Sequence, residues 1–103
     1  MPLTAAAEAQ LTRAGVIQAP GKASNAGGVA VSGLEMQQNA SFARWAPARV
    51  ERELQEVMCA IHNRLKSERA SCCTAGGGID YRRAANVAGY RKLARAVVDG
   101  GVI

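Results

Sequence analysis

The stretch PARVERELQEVMCAIHNRLKSERA, residues 47–70, carries the clearest periodic signal in the chain. Its apolar residues recur every three or four positions and fall on one stripe of a helix: Val50, Leu54, Val57, Met58, Ile61 and Leu65. Pro47 suits the first helical turn, because the backbone N–H that proline lacks would have no partner there. The pattern predicts a helix over residues 47–70 and a protein built mostly from helices.

Three further helices and one strand are predicted around that stretch. The helices cover about residues 5–13, 29–40 and 82–99, the first of them capped by Thr4 and ended by Gly15. Residues 16–19 are apolar and are followed by Pro20 and Gly21, which is typical of a short strand. A single strand has no partner for its backbone hydrogen bonds. The predicted fold is therefore mostly α with one short β-strand, and it is incomplete.

Composition favours some partner classes over others. The 103 residues carry a formal net charge of +5, but the basic side chains are mixed with acidic ones along the helices and are not interleaved with aromatics. Neither a nucleic-acid partner nor a membrane is therefore expected. The three cysteines, without a signal sequence, indicate a reducing compartment, so the cytoplasm is predicted and an organelle is not excluded.

A candidate ligand site lies in APGKASNAGGVAVSGLEMQQN, residues 19–39. The predicted strand is followed by a loop with Lys22 and Asn25, and the pair Gly27 and Gly28 then leads into a helix. Glycines allow close approach of a ligand, and free N–H groups at a helix start favour a carboxylate or phosphate. Ser32, one turn further on, could add a hydroxyl donor. On spacing alone, a purely structural loop is the favoured interpretation.

Three stretches together closely resemble the C-terminal portion of the glutamate dehydrogenases, especially the NADP-dependent hexameric type. They are residues 19–39, the preceding MPLTAAAEAQLTRAGVIQ (residues 1–18) and the closing AANVAGYRKLARAVVDGGVI (residues 84–103). The resemblance implies that residues 1–45 end an α/β Rossmann-like dinucleotide-binding domain, as helix, strand, ligand loop and helix. Residues 46–103 would be the C-terminal helices, with a flexible connector at residues 71–80 that contains SCCTAGGG.

The same resemblance implies the chemistry. The family converts glutamate reversibly into 2-oxoglutarate and ammonia and exchanges a hydride with NADP or NAD. Asn25 would lie near the nicotinamide end of the cofactor, Val29 would line the substrate pocket, and Ser32 would hydrogen-bond the distal carboxylate of glutamate. No catalytic residue and no metal ligand is expected here.

Other parts of the family pattern are absent from these residues. The glycine-rich dinucleotide fingerprint and the substrate-domain lysines and aspartate have no match, so the chain is expected to be a fragment that is inactive alone. Its implied partners are the substrate, the missing N-terminal part of the enzyme, and the other copies of a homo-hexamer. In the final helix, Asn86 is predicted to be a buried structural hydrogen bonder and Gly89 to permit close helix packing, whereas Lys22 has no assigned role.

Two rival interpretations remain. Cys59, His62 and the pair Cys72 and Cys73 supply four potential metal ligands, but adjacent cysteines are poorly disposed around one tetrahedral ion. We therefore expect Cys59 to fill the core and His62 to be a half-exposed helix residue. The other alternative is a stand-alone helical interaction module without enzymatic activity, which would dock a partner on the apolar stripe of residues 50–65.

Overall fold

A computed structural model describes residues 3–74 and 76–101. Within them the chain forms five α-helices and one short 3-10 helix. The α-helices are α1 (Ala5–Arg13), α2 (Gly21–Ser24), α3 (Ala26–Ala40), α4 (Pro47–Ser67) and α5 (Tyr81–Asp99), and the 3-10 helix is Arg69–Ser71. The four predicted helices are thus confirmed. Positions 1–2, 75 and 102–103, which belong to the resembling stretches or to the predicted connector, lie outside the described residues.

The predicted strand at residues 16–19 is wrong. The described residues contain an isolated β-bridge between Cys73 and Ile79 but no strand. Residues 16–20 instead run without regular structure beside α1, where the Gln18 side chain donates to the Glu8 carbonyl (3.1 Å) and to Thr12 Oγ1 (3.0 Å). A strand needs a neighbour to complete its hydrogen-bond ladder, and none is present among these residues. The described fold is accordingly mostly α.

The predicted ligand loop also differs from the structure. Gly21–Ser24 form the single turn α2, and Asn25, with αR backbone angles, is both the last cap of α2 and the first cap of α3. Gly27 and Gly28 therefore lie inside the first turn of α3. A β-carbon built on Gly27 would lie 3.5 Å from Met58 Sδ and 3.6 Å from the Leu54 side chain, so this glycine faces α4 closely. Small residues let α3 approach α4 here.

The core is small and lies where α4, α5 and their connector meet. Its buried apolar members are Leu65, Cys72, Ala84 and Ala88. Leu65 is the one fully buried residue of the predicted α4 stripe, and Val57 is exposed. The expectation that Cys59 fills the core is wrong, since Cys59 is exposed and Cys72 is buried there instead. Helix α5 packs through alanines, and Tyr90 is exposed.

The connector between α4 and α5 has a defined turn. The Thr74 N–H donates to the Gly78 carbonyl (2.9 Å), and the Asp80 N–H donates to the Cys72 carbonyl (2.9 Å). Gly77 has a φ of 77°, which favours glycine over residues with a β-carbon. Asp80 then caps α5 by accepting from the Arg83 N–H at 2.9 Å. The division into residues 1–45 and 46–103 stays a prediction.

The chain is more open than a compact domain of its size. Its accessible surface is 7855 Å², whereas a compact monomer of this mass exposes about 5,500 Å². Its radius of gyration is 17.2 Å, against about 13 Å for a compact domain of this length. A large share of apolar surface is therefore left uncovered.

No helix in the described ranges combines the length and apolar character needed to cross a membrane.

Candidate functional site

Helix α3 has two contrasting faces. One face is half-buried and includes the position that contacts α4; its members are Ala26, Gly27, Ala30, Val31, Leu34 and Gln38. The opposite face, which we call the open stripe, consists of Asn25, Val29, Ser32 and Met36, all exposed. These four residues follow one another at intervals of three or four, which places them on one side of a helix.

The open stripe brings the three predicted site residues together. Asn25 lies at the start of α3, Val29 one turn later and Ser32 in the next turn, and Val29 is 75% exposed. The Asn25 side chain makes no capping hydrogen bond to its own helix, so its amide is available to a ligand. The geometry is compatible with the predicted ligand contacts, which remain predictions.

Part of the expected backbone-amide site is already hydrogen-bonded in the structure. The Gly28 N–H donates to the Asn25 carbonyl (3.1 Å), and the Asn25 N–H donates to the Gly21 carbonyl (2.9 Å). These two amides are therefore already used, because α2 continues almost directly into α3. The polar side chains of the open stripe are those of Asn25 and Ser32.

The chemistry of the open stripe fits one side of a ligand. An asparagine amide can donate to and accept from a carboxamide, such as that of nicotinamide, and a serine hydroxyl can donate to a carboxylate. None of the four stripe residues is cationic. A carboxylate bound here would thus need positive charge from elsewhere, since desolvating an unpaired carboxylate is costly.

Lys22 has a partner that the sequence did not reveal. Its Nζ donates to Oδ1 of Asn86 on α5, a contact between residues 64 positions apart. The expectation that Asn86 is buried is wrong, because it is exposed, although it does form a hydrogen bond. A β-carbon on Gly89 would meet open space, so Gly89 does not serve close helix packing within this structure.

An apolar groove of about 320 Å³ lies beside α2, between residues 17–24, α4 and the start of α5. Its polar feature is the pair of His62 Nε2 and the Tyr81 hydroxyl, 3.0 Å apart. His62 is exposed, not half-exposed as expected. In the part of the chain that is described, no three His, Cys, Asp or Glu side chains converge on a point suited to a metal ion.

Comparison with known proteins gives a consistent result. A family model described as Glutamate/Leucine/Phenylalanine/Valine dehydrogenase matches residues 1–101. The chain is 43% identical over 106 residues to the NADP-specific glutamate dehydrogenase of Escherichia coli, covering 100% of this chain and 22% of that protein. It is 46% identical over 89 residues to the NAD-specific glutamate dehydrogenase of Bacteroides fragilis, covering 82% of this chain and 18% of that protein. The chain thus spans about a fifth of the length of these relatives.

Proposed function

Because the chain belongs to the glutamate/leucine/phenylalanine/valine dehydrogenase family, we propose that it forms part of a glutamate dehydrogenase. The reaction interconverts glutamate, water and NAD(P)+ with 2-oxoglutarate, ammonia and NAD(P)H. The names of similar proteins support a nicotinamide cofactor, since one is NADP-specific and another NAD-specific. The structural observation that carries the proposal is the open stripe, which collects an amide, an apolar side chain and a hydroxyl on one uncovered helix face.

Each stripe residue has a defined task in this proposal. The cofactor, when bound, supplies the hydride acceptor for glutamate oxidation. Asn25 orients the nicotinamide end through its amide, Val29 excludes water from one side of the substrate, and Ser32 donates its hydroxyl hydrogen to the distal carboxylate. These are positioning and binding tasks, which hold the reactants in register but transfer no proton.

The remaining parts of the site must come from other polypeptide. A ligand pocket encloses most of its ligand, whereas the open stripe is an exposed surface with Val29 75% exposed. The carboxylates need cations and the reaction needs a positioned acid or base. We therefore propose that the 103 residues act within a larger enzyme, assembled as a homo-hexamer. Three further statements stay predictions: the cytoplasmic location, the match to the C-terminal portion of family members, and the lack of nucleic-acid or membrane partners.

The test uses a chimera in which this chain replaces the segment of the Escherichia coli enzyme that it matches. The isolated chain should show no glutamate oxidation with either cofactor, and the chimera should restore it. In the chimera, Ser32→Ala should raise the KM for glutamate about ten- to hundredfold, because a hydrogen bond to a charged group contributes about 1.5–3 kcal/mol.

Ser67→Ala is the matched control, since Ser67 is an exposed helical serine whose hydroxyl donates to the Arg64 carbonyl of its own helix at 2.7 Å. Its KM should be unchanged. An active chimera in which both serine variants behave alike would contradict the role of Ser32. Turnover by the isolated chain would contradict the proposed need for further polypeptide.

The alternative of a stand-alone helical module has one supporting observation, the exposed apolar side chains Val57, Leu93 and Val98 on α4 and α5. A module should melt cooperatively by itself, as small independent domains do. The open surface of the chain favours the enzyme fragment instead. A thermal ramp followed by circular dichroism separates the two, because a fragment should melt broadly.

A further inference from the structure

The short helix α2 cannot hold its own orientation. It has four residues, no buried residue and no side-chain cap at its N-terminus. Isolated helices of this length are unstable in water, because nucleating a helix costs more free energy than the hydrogen bonds of a single turn contribute. The position of α2 must therefore depend on contacts with the rest of the fold.

Two adjacent residues of α2 provide such contacts. Ala23 packs against the core cluster that contains Leu65, Ala84 and Ala88. Lys22, next to it, donates from Nζ to the Asn86 amide oxygen on α5. One apolar contact and one polar contact thus hold this turn at neighbouring positions.

Asn86 lies on a well-fixed part of α5. Its chain neighbours Ala85 and Val87 pack against the core cluster, and Ala84 and Ala88 on either side are buried. The register of α5 is consequently set by packing at this place. An acceptor on such a segment can define where the Lys22 ammonium lies.

The orientation of α2 determines the position of Asn25, the first residue of the open stripe. Asn25 is the C-cap of α2 and the N-cap of α3, and its N–H donates to the Gly21 carbonyl at 2.9 Å. Any displacement of the α2 turn therefore moves the backbone of Asn25 and redirects its amide. Loss of positioning by even a small shift weakens binding and alignment of reactants.

We propose that Lys22 and Asn86 are positioning residues, whose hydrogen bond couples α5 to the Asn25 end of the open stripe and so sets the affinity for the nicotinamide cofactor. This inference rests on the proposed function, because it assumes that Asn25 contacts the cofactor. Neither residue needs to touch the ligand.

The chimera described above tests this coupling through a split between KM and kcat. Asn86→Ala removes the acceptor and should raise the KM for NADP about fivefold, while kcat and the KM for glutamate change little. Asn86→Asp keeps an oxygen acceptor for Lys22 and should restore the KM. Lys22→Gln combined with Asn86→Ala should be no worse than Asn86→Ala alone, because the two residues act as a unit.

Lys92→Gln is the control, since it removes an exposed lysine from the same helix α5. Asn25→Ala separates the two hypotheses. If Asn25→Ala leaves the KM for NADP unchanged, the proposed role of Asn25 fails. If it raises that KM while Asn86→Ala and Lys22→Gln do not, the positioning inference alone is overturned.

A second measurement is independent of activity. In the 103-residue chain, the N–H groups of Ala23, Ser24 and Asn25 donate to carbonyls of residues 20 and 21. In the chimera, their hydrogen exchange should become about fivefold faster in Asn86→Ala and remain unchanged in Lys92→Gln, because exchange reports local opening. Equal exchange rates in the two variants would overturn the inference.

Discussion

The two sides of helix α4 differ in how the chain is held. Toward α5, α4 contributes Leu65 to a core with Ala84 and Ala88, and Glu68 at its C-terminal cap is 3% exposed beside Arg91. Toward α3, contact is made by half-buried small residues such as Gly27, and no residue of α3 is fully buried. The side that carries the candidate site is thus the less consolidated one.

The two contacts differ in how far their residues are buried. Ala84 and Ala88 of α5 are buried together with Leu65 and Cys72, whereas the members of the α3 face are only half-buried. Hydrophobic stabilisation scales with the area removed from water. Functional surfaces are commonly drawn from the less stable parts of a fold. In the proposed function the open stripe is enclosed by other polypeptide, whereas the α4–α5 contact already buries Leu65, Ala84 and Ala88.

The largest expected effect tests the consolidated side. Leu65→Ala should destabilise the chain by about 2–4 kcal/mol, because it removes a side chain that is 7% exposed and leaves a cavity. Leu93→Ala is the matched control, since Leu93 is 63% exposed, and it should cost less than about 0.5 kcal/mol. Urea denaturation of the chimera ranks the two variants by their unfolding midpoints. Similar costs for the two leucines would contradict the contrast between the two sides.

The helices could be predicted because their signals are local. The stripe that includes Val50, Leu54 and Leu65 repeats at the helical period, and Thr4 accepts from the Ala7 N–H at 3.3 Å as the cap predicts. The strand could not be decided locally, because residues 16–19 have strand-like composition but no neighbouring strand in the described ranges. Gln18 instead ties this segment to α1 through side-chain hydrogen bonds.

The second expected effect concerns the charged pair at the α4–α5 contact. Glu68 Oε2 lies 3.2 Å from Arg91 Nη1, and it is buried without an aligned hydrogen bond. Arg91→Gln should cost about 1–2 kcal/mol, because it leaves a buried carboxylate without its cation, although the arginine itself is largely exposed. Thermal unfolding at neutral pH measures this.

Glu68→Gln is the informative counterpart. It removes the buried charge instead of its partner, so the cost should stay below about 1 kcal/mol. The test compares the loss of unfolding free energy in the two variants, which should be larger for Arg91→Gln. If Glu68→Gln lowers the free energy of unfolding more than Arg91→Gln does, the Glu68 carboxylate stabilises the α4–α5 contact through more than its ion pair with Arg91.

The candidate site was predictable only in part. Asn25, Val29 and Ser32 are spaced for one helix face, and the structure places them there. The sequence predicted a loop before the glycine pair, whereas the structure has the turn α2 there, and the Gly28 N–H already donates to the Asn25 carbonyl. The bond between Lys22 and Asn86 joins residues 64 positions apart, and no local pattern announces such a pair.

The smallest expected effect comes from adding one methyl group to either face of α3, which tests whether the two faces differ. Gly27→Ala and Gly28→Ala should each stabilise the isolated chain by about 0.5–1 kcal/mol, because alanine is the better helix former and neither β-carbon meets an atom closer than 3.5 Å. Gly28 is four residues before Ser32, so its methyl group borders the open stripe. In the chimera, Gly28→Ala should therefore raise the KM for glutamate at least about threefold, whereas Gly27→Ala, whose methyl faces α4, should not. Equal KM values for the two variants would mean that the ligand does not approach this end of the stripe.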